Sequence, residues 1–126
     1  MTKIVLLKTT IVVYLISILI VSLVSFNKFS DVKLLSQDKF IHFLMYFGLA
    51  FLLSIRYNTF QFRAKYVLII VLFSSIYGML MEIGQEVFTT YRTFDLKDIA
   101  ANTLGSAFGT FFAYFFKNFT KNFFFK

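Results

Sequence analysis

The stretch TTIVVYLISILIVSLVSF, residues 9–26, contains no charged residue. An apolar helix of about 20 residues spans the roughly 30 Å hydrocarbon core of a bilayer, so this stretch predicts a transmembrane helix. Lys3 and Lys8 precede it, as basic residues precede the apolar core of a cleaved signal peptide. The run is longer than such a core usually is, and no Ala-x-Ala site follows it, so we expect the helix to be retained.

Three more apolar segments follow along the chain. Together with the first they predict transmembrane helices over residues 4–26, 38–56, 65–88 and 97–117. Of the 126 residues, 59% are hydrophobic, and the mean hydropathy is +0.77. A water-soluble domain of this length could not bury so much apolar surface. We therefore expect one all-α domain, residues 1–126, built as a compact bundle of four transmembrane helices.

Basic residues are distributed unevenly between the two sides of the predicted membrane. The N-terminal segment, the second loop and the C-terminal tail contain lysine and arginine but no acidic residue. The six acidic residues all fall near the opposite side. Because cytoplasmic loops carry the excess of Lys and Arg, we expect both termini in the cytoplasm and the first and third loops outside.

The composition argues against several classes of function. The chain contains no cysteine, which rules out disulfides, thiolate metal sites and cysteine nucleophiles. The formal charge of +7 comes from residues that flank apolar spans rather than from a phosphate-binding stripe, so no nucleic-acid partner is expected. Four spans with their charge near one side offer no continuous polar path, which disfavours a transporter.

Polar residues recur at helical spacing near the external ends of the last three predicted helices. The set comprises Asp38, His42 and Tyr46 on the second helix, Glu82 and Gln85 on the third, and Asp98 and Asn102 on the fourth. Residues four apart share one face of a helix. A charge inside a span costs a few kcal/mol, so we expect these side chains to face the bundle interior or a wet cavity.

Structural roles are alternatives for several of these residues. Asp95 and Asp98 open the fourth helix, where a carboxylate can cap free backbone N–H groups. Asn102 can tie helices together by hydrogen bonds. Gly105 and Gly109 form a small-xxx-small pattern, which predicts close helix packing or a contact between two copies of the chain.

Three stretches in chain order resemble the signature of the VanZ-like family of small bacterial membrane proteins. They are DKFIHFLMY at 38–46, EIGQ at 82–85 and RTFDLKDIAANTLG at 92–105, followed by Gly109. Each stretch alone is a weak signal, but their order and spacing are specific. The match covers the second to fourth predicted helices, whereas the first helix agrees only in being apolar.

The resemblance implies a multi-pass protein of the bacterial cytoplasmic membrane. The family takes its name from a protein associated with resistance to the glycopeptide antibiotic teicoplanin, and most members lack an assigned reaction. It also resembles compact helical membrane proteins suggested to act on lipid head groups or lipid-linked envelope precursors. Whether this chain is an enzyme is left open by the resemblance.

The favoured hypothesis is a protein that binds or modifies a lipid head group or lipid-linked envelope precursor at the outer leaflet. Lys39 and Arg92 would hold an anionic head group, and His42 would act as a general acid or base. The predicted catalytic residues are His42, Glu82 and Asp98, and the predicted substrate-binding residues are Asp38, Lys39, Tyr46, Gln85, Arg92 and Asn102.

Two further hypotheses use the same polar residues. In one, the cluster is a non-catalytic scaffold or binding module of an envelope complex. In the other, His42 and two carboxylates bind a metal ion. The chain has no H-E-x-x-H pattern, which disfavours the metal hypothesis, although a transporter is disfavoured more, and no cofactor is expected.

Overall fold

The computed structural model describes residues 2–23, 34–57, 63–90 and 93–124, with the backbone alone at 34–38, and helices account for almost all of these residues. The helices are α1 Lys3–Leu23, α2 Leu34–Tyr57, α3 Ala64–Phe88, α4 Leu96–Phe115 and α5 Lys117–Phe124. This part of the chain contains no strand, which confirms the predicted all-α fold.

Three of the helices are long and apolar enough to cross a membrane. The spans are Lys3–Leu23, Lys39–Tyr57 and Ala64–Phe88, and α4 with α5 forms a fourth candidate that is bent. Large apolar side chains are exposed around the bundle, as at Val12 and Leu68, which are 54% and 60% exposed. An apolar exterior suits acyl chains rather than water, so three or four spans agree with the predicted polytopic bundle.

The end of the fourth predicted helix needs correction. We expected it to run through residue 117, but α4 ends at Phe115, and α5 follows at an angle of 73°. Phe116 lies at the bend with φ −88° and ψ 8°. The bend coincides with a change in composition, since Lys117 and Asn118 begin a more polar stretch.

The start of α2 also differs from its prediction. Helix α2 begins at Leu34 rather than at residue 38, because no glycine or proline separates these residues from the apolar run. The predicted end of the first helix at residue 26 lies outside the described residues.

Helices α2 and α4 approach each other most closely. A Cβ atom added to Gly105 would collide with the backbone carbonyl of Phe43, and one added to Gly109 would collide with that of Phe47. Small residues allow backbones to approach in this way when apolar solvent provides no hydrophobic drive. Both glycines therefore lie at the α2–α4 contact. Phenylalanine rings pack beside this contact, and the ring centroids of Phe47 and Phe112 are 5.5 Å apart.

Helix α1 packs against α2 and α3 through an apolar core that has two polar ties. The Tyr14 hydroxyl donates to the Met45 carbonyl at 3.0 Å, and the Tyr77 hydroxyl donates to the Leu15 carbonyl at 2.8 Å. The buried apolar residues of this core are Leu7, Ile11, Ile18, Tyr46, Leu49, Ala50, Leu53, Ile55 and Ile70. The polar side chains predicted to form a site are thus carried mainly by α2, α3 and α4.

Candidate functional site

His42 lies in a polar cluster buried between α2, α3 and α4. Its Nδ1 atom is 3.1 Å from Oδ1 of Asn102 on α4 and 3.5 Å from Oε1 of Glu82 on α3. The three residues are 5%, 0% and 1% exposed. An amide oxygen only accepts, so with the Asn102 amide in this orientation the proton of a neutral His42 ring lies on Nδ1. His42 Nε2 is then the nitrogen that can accept a proton.

Asp98 completes a group of three potential ligands. One ring nitrogen of His42 and one carboxylate oxygen each of Glu82 and Asp98 all lie within 4.8 Å of one another. Each residue comes from a different helix, and each is buried. The structure therefore brings together the three residues predicted to be catalytic, near the end of the bundle where α4 begins.

Lys39 links this cluster to the start of α4. Its Nζ atom is 3.1 Å from Oδ2 of Asp95 and 3.2 Å from Oδ1 of Asp98. The Lys39 side chain is 29% exposed, and that of Asp98 is 7% exposed. Lys39 pairs with two carboxylates in this structure, and its predicted role in binding a head group stays a prediction.

Asp95 is the N-cap of α4. Its side chain accepts a hydrogen bond from the Lys97 backbone N–H at 2.8 Å, which satisfies one of the free donors at the helix start. This N–H first, and then the Lys39 ammonium, hold the pKa of the Asp95 carboxyl below its usual value. The capping role that the sequence offered for Asp95 is thus combined with an ion pair.

Several buried polar atoms of α2, α3 and α4 have no hydrogen-bond partner among the described residues. They are Tyr46 OH, Gln85 Oε1 and Asn102 Nδ2, all in side chains that are at most 2% exposed. Asn102 Nδ2 lies against Gly78, where an added Cβ would come within 2.6 Å of it. A buried polar atom without a partner costs about 1–3 kcal/mol, so such atoms point to a bound ligand or to ordered water.

Two predicted site residues cannot be placed. Arg92 and the side chain of Asp38 lie outside the described residues. Their roles in binding a substrate therefore stay predictions.

The double ion pair of Lys39 was missed by reasoning from the sequence. Depth in the membrane could have indicated this ion pair. Asp95 and Asp98 begin the fourth helix at the same membrane side at which Lys39 begins the second span. Spacing along one helix identifies residues that share a face, but it does not give the partner on another helix.

A protein-family model with the description VanZ/LLP1 matches residues 5–117. No curated protein and no solved structure matches the chain. The family match covers the three helices around His42, and it also extends over most of α1, where the sequence motifs gave no signal.

Proposed function

Because the chain belongs to the VanZ/LLP1 family of membrane proteins, we propose that its buried polar cluster binds and modifies the anionic head group of a membrane lipid or lipid-linked envelope precursor. One observation carries this proposal, namely the convergence of His42, Glu82 and Asp98 from three helices into a group 4.8 Å across. Ionisable side chains inside membrane spans are costly, and they usually mark substrate or proton pathways.

The depth of the cluster suits a head group. His42 lies three residues after the start of the span Lys39–Tyr57, and Glu82 lies six residues before the end of Ala64–Phe88. At 1.5 Å per residue these positions are about 5 to 9 Å inside the ends of the helices. A lipid whose acyl chains lie beside the bundle can place its head group at this depth. The charge distribution of the loops supports the proposal that this side faces the outer leaflet.

His42 is the proposed proton-transfer group. The contact of its Nδ1 with Asn102 fixes the ring, so that Nε2 serves as the acceptor. Glu82, 3.5 Å from the ring, stabilises the imidazolium that forms. The chain has no cysteine, so water or a substrate hydroxyl is the proposed nucleophile.

Arg92 is the proposed contact for the phosphate or carboxylate of the head group. Lys39 pairs with Asp95 and Asp98, so it contributes mainly by holding these carboxylates in place. In the sequence Arg92 belongs to the connection between α3 and α4, and its planar guanidinium suits bidentate contact with an anion.

Native mass spectrometry of the purified protein tests the head-group proposal. We expect the parent protein to retain a phosphorylated lipid and Arg92→Ala to lose it. Lys65→Ala is the matched control, because Lys65 is an exposed basic residue at the opposite end of α3. Equal lipid retention by parent and Arg92→Ala would argue against the proposed clamp.

The chemical part of the proposal is tested by lipid profiles of cells that express His42→Ala or Glu82→Gln. We expect both variants to change the envelope lipid profile relative to the parent. If both variants insert at parental abundance and leave the profile unchanged, the catalytic role fails.

A non-catalytic scaffold is the second candidate function. The observation in its favour is that the His42–Asn102 contact itself joins α2 to α4, beside the close approach at Gly105. In this case the same variants would change abundance or oligomer size rather than lipid chemistry. Blue native electrophoresis of the variants separates the two functions.

The family also extends the proposal to susceptibility to glycopeptides. If the head group belongs to an envelope precursor, a strain carrying His42→Ala in place of the parent is expected to be more susceptible to teicoplanin. Unchanged inhibitory concentrations of teicoplanin would restrict the proposal to lipids that do not affect teicoplanin susceptibility.

A further inference from the structure

We propose that His42, Glu82 and Asp98 form a binding site for one divalent transition-metal cation. The inference concerns the same cluster as the proposed function, and it rests on that function for the substrate on which the metal would act. Imidazole and carboxylate are the donors that zinc uses in catalytic sites, which have three protein ligands and one exchangeable position.

The distances suit such a cation. Ligand atoms about 2.1 Å from a tetrahedral ion lie about 3.4 Å from one another. His42 Nδ1 and Glu82 Oε1 are already 3.5 Å apart, and the widest separation within the group is 4.8 Å. A shift of the Glu82 or Asp98 carboxylate by about one ångström would close the remaining gap, and a small side-chain rotation within one rotamer allows such a shift.

The charges also favour a cation. Two ionised carboxylates within 4.8 Å repel each other strongly where the dielectric constant is low. A dication between them replaces this repulsion with two attractions. Lys39 contacts Asp98 through Oδ1, and a carboxylate has a second oxygen, so Oδ2 is the proposed ligand atom.

One buried amide oxygen lies beside the proposed site, and another belongs to the helix that carries Glu82. Asn102 Oδ1 is 3.1 Å from His42 Nδ1, so it would lie next to a cation that replaces the Nδ1 proton. Gln85 follows Glu82 on the same face of α3, and its Oε1 has no partner among the described residues. A water bound to the cation would supply the missing donor. Because Gln85 lies one turn after Glu82 on the buried face of α3, its unpartnered oxygen is an independent indication of a ligand near Glu82.

A bound cation would change the role of His42. As a ligand the ring would no longer accept a proton, and the cation would instead supply acidity to a bound water. The two mechanisms thus differ in the group that activates the nucleophile, which is His42 without the metal and the cation with it.

Zinc binding by the full chain in detergent tests the inference without any lipid. The protein is treated with EDTA, dialysed and titrated with Zn²⁺, and the bound zinc is measured by elemental mass spectrometry. We expect saturation near one Zn²⁺ per chain and a higher unfolding temperature with Zn²⁺. His42→Ala, Glu82→Gln and Asp98→Asn are each expected to weaken binding by more than about tenfold, and Gln85→Ala by about tenfold. Glu86→Gln, which removes an exposed carboxylate of α3, is the control and should bind as the parent does.

Two results would overturn the inference: no saturable Zn²⁺ binding, or undiminished binding by the ligand variants that elute as folded protein in size-exclusion chromatography. The three ligand variants are independent. If one of them does not fold, the other two still test the inference. Retention of a phosphorylated lipid by EDTA-treated protein that fails to bind Zn²⁺ would refute the metal site and leave the proposed function standing. Saturable Zn²⁺ binding by protein that retains no lipid would support the metal site and count against the head-group proposal.

Discussion

At His42, three helices meet through polar side chains in a bundle whose other contacts are mostly apolar. The contact with Asn102 joins α2 to α4, and the proximity of Glu82 joins the same ring to α3. In an apolar solvent each of these groups would be costly alone, so their mutual contacts favour one arrangement of the three helices. The residues that form the site therefore also fix the bundle.

Gly105 provides a stability test at a single residue. Gly105→Ala places a methyl group against the Phe43 carbonyl, and backbone atoms cannot move aside as a flexible side chain can. We expect a loss of about 1–3 kcal/mol in the free energy of unfolding, as in other overpacked sites. Chemical denaturation in detergent measures it.

Gly84→Ala is the matched control for this substitution. Its added Cβ would meet only Leu23 Cδ2, at 3.7 Å, which is ordinary van der Waals contact. Because alanine is the better helix former, we expect a neutral or slightly stabilising effect. Equal destabilisation by both variants would show that crowding at the α2–α4 contact is not the cause.

Asp95 gives a prediction that depends on pH. Its folded pKa lies below the ordinary value of 3.8, so its ionised form stabilises the fold at pH values above 3.8, and this contribution disappears as the pH falls through the lowered pKa. Asp95→Asn keeps a good N-cap but removes the charge that faces Lys39. We expect the variant to be less stable than the parent at pH 7, with the difference shrinking below pH 3.8. A constant difference across this range would contradict the role of the charge.

At the scale of elements, the long apolar runs made the main helices predictable, because a single segment can satisfy its own backbone inside a bilayer only as a helix. The convergence of His42, Glu82 and Asp98 followed from helical spacing and from their common side of the membrane. The partners of Lys39 did not follow, since helix rotation and register depend on packing contacts such as those of Gly105. The bend at Phe116 was also missed, because no proline or glycine marks it.

Helix α5 has the features of a helix that lies along a membrane surface. It bends 73° away from α4, and Asn118 and Asn122 share one face while Phe119 and Phe123 share another. Lys3 donates to the Phe123 carbonyl at 2.7 Å, which ties α5 to the start of α1. An amphipathic helix of this kind buries its apolar face at the boundary between head groups and acyl chains.

Spin labels measure the depth of α5 directly, and the chain has no native cysteine to interfere. In vesicles, a label at Phe119→Cys is expected to be accessible to oxygen, and one at Asn118→Cys to a water-soluble nickel reagent. The two residues are adjacent, so one serves as the control for the other. Similar accessibility at both positions would indicate that α5 does not lie at the interface.

At the scale of the whole molecule, the site has meaning only if its side of the membrane is known. The basic residues at both ends of the chain predict cytoplasmic termini, which places the start of α4 outside. We expect Thr93→Cys, in the exposed segment before α4, to react with a membrane-impermeant maleimide in intact cells. Thr2→Cys should react only after the cells are permeabilised, and it is the control for leakage. The reverse labelling pattern would mean that the His42 cluster faces the cytoplasmic leaflet. The proposed substrate would then have to be a lipid of that leaflet.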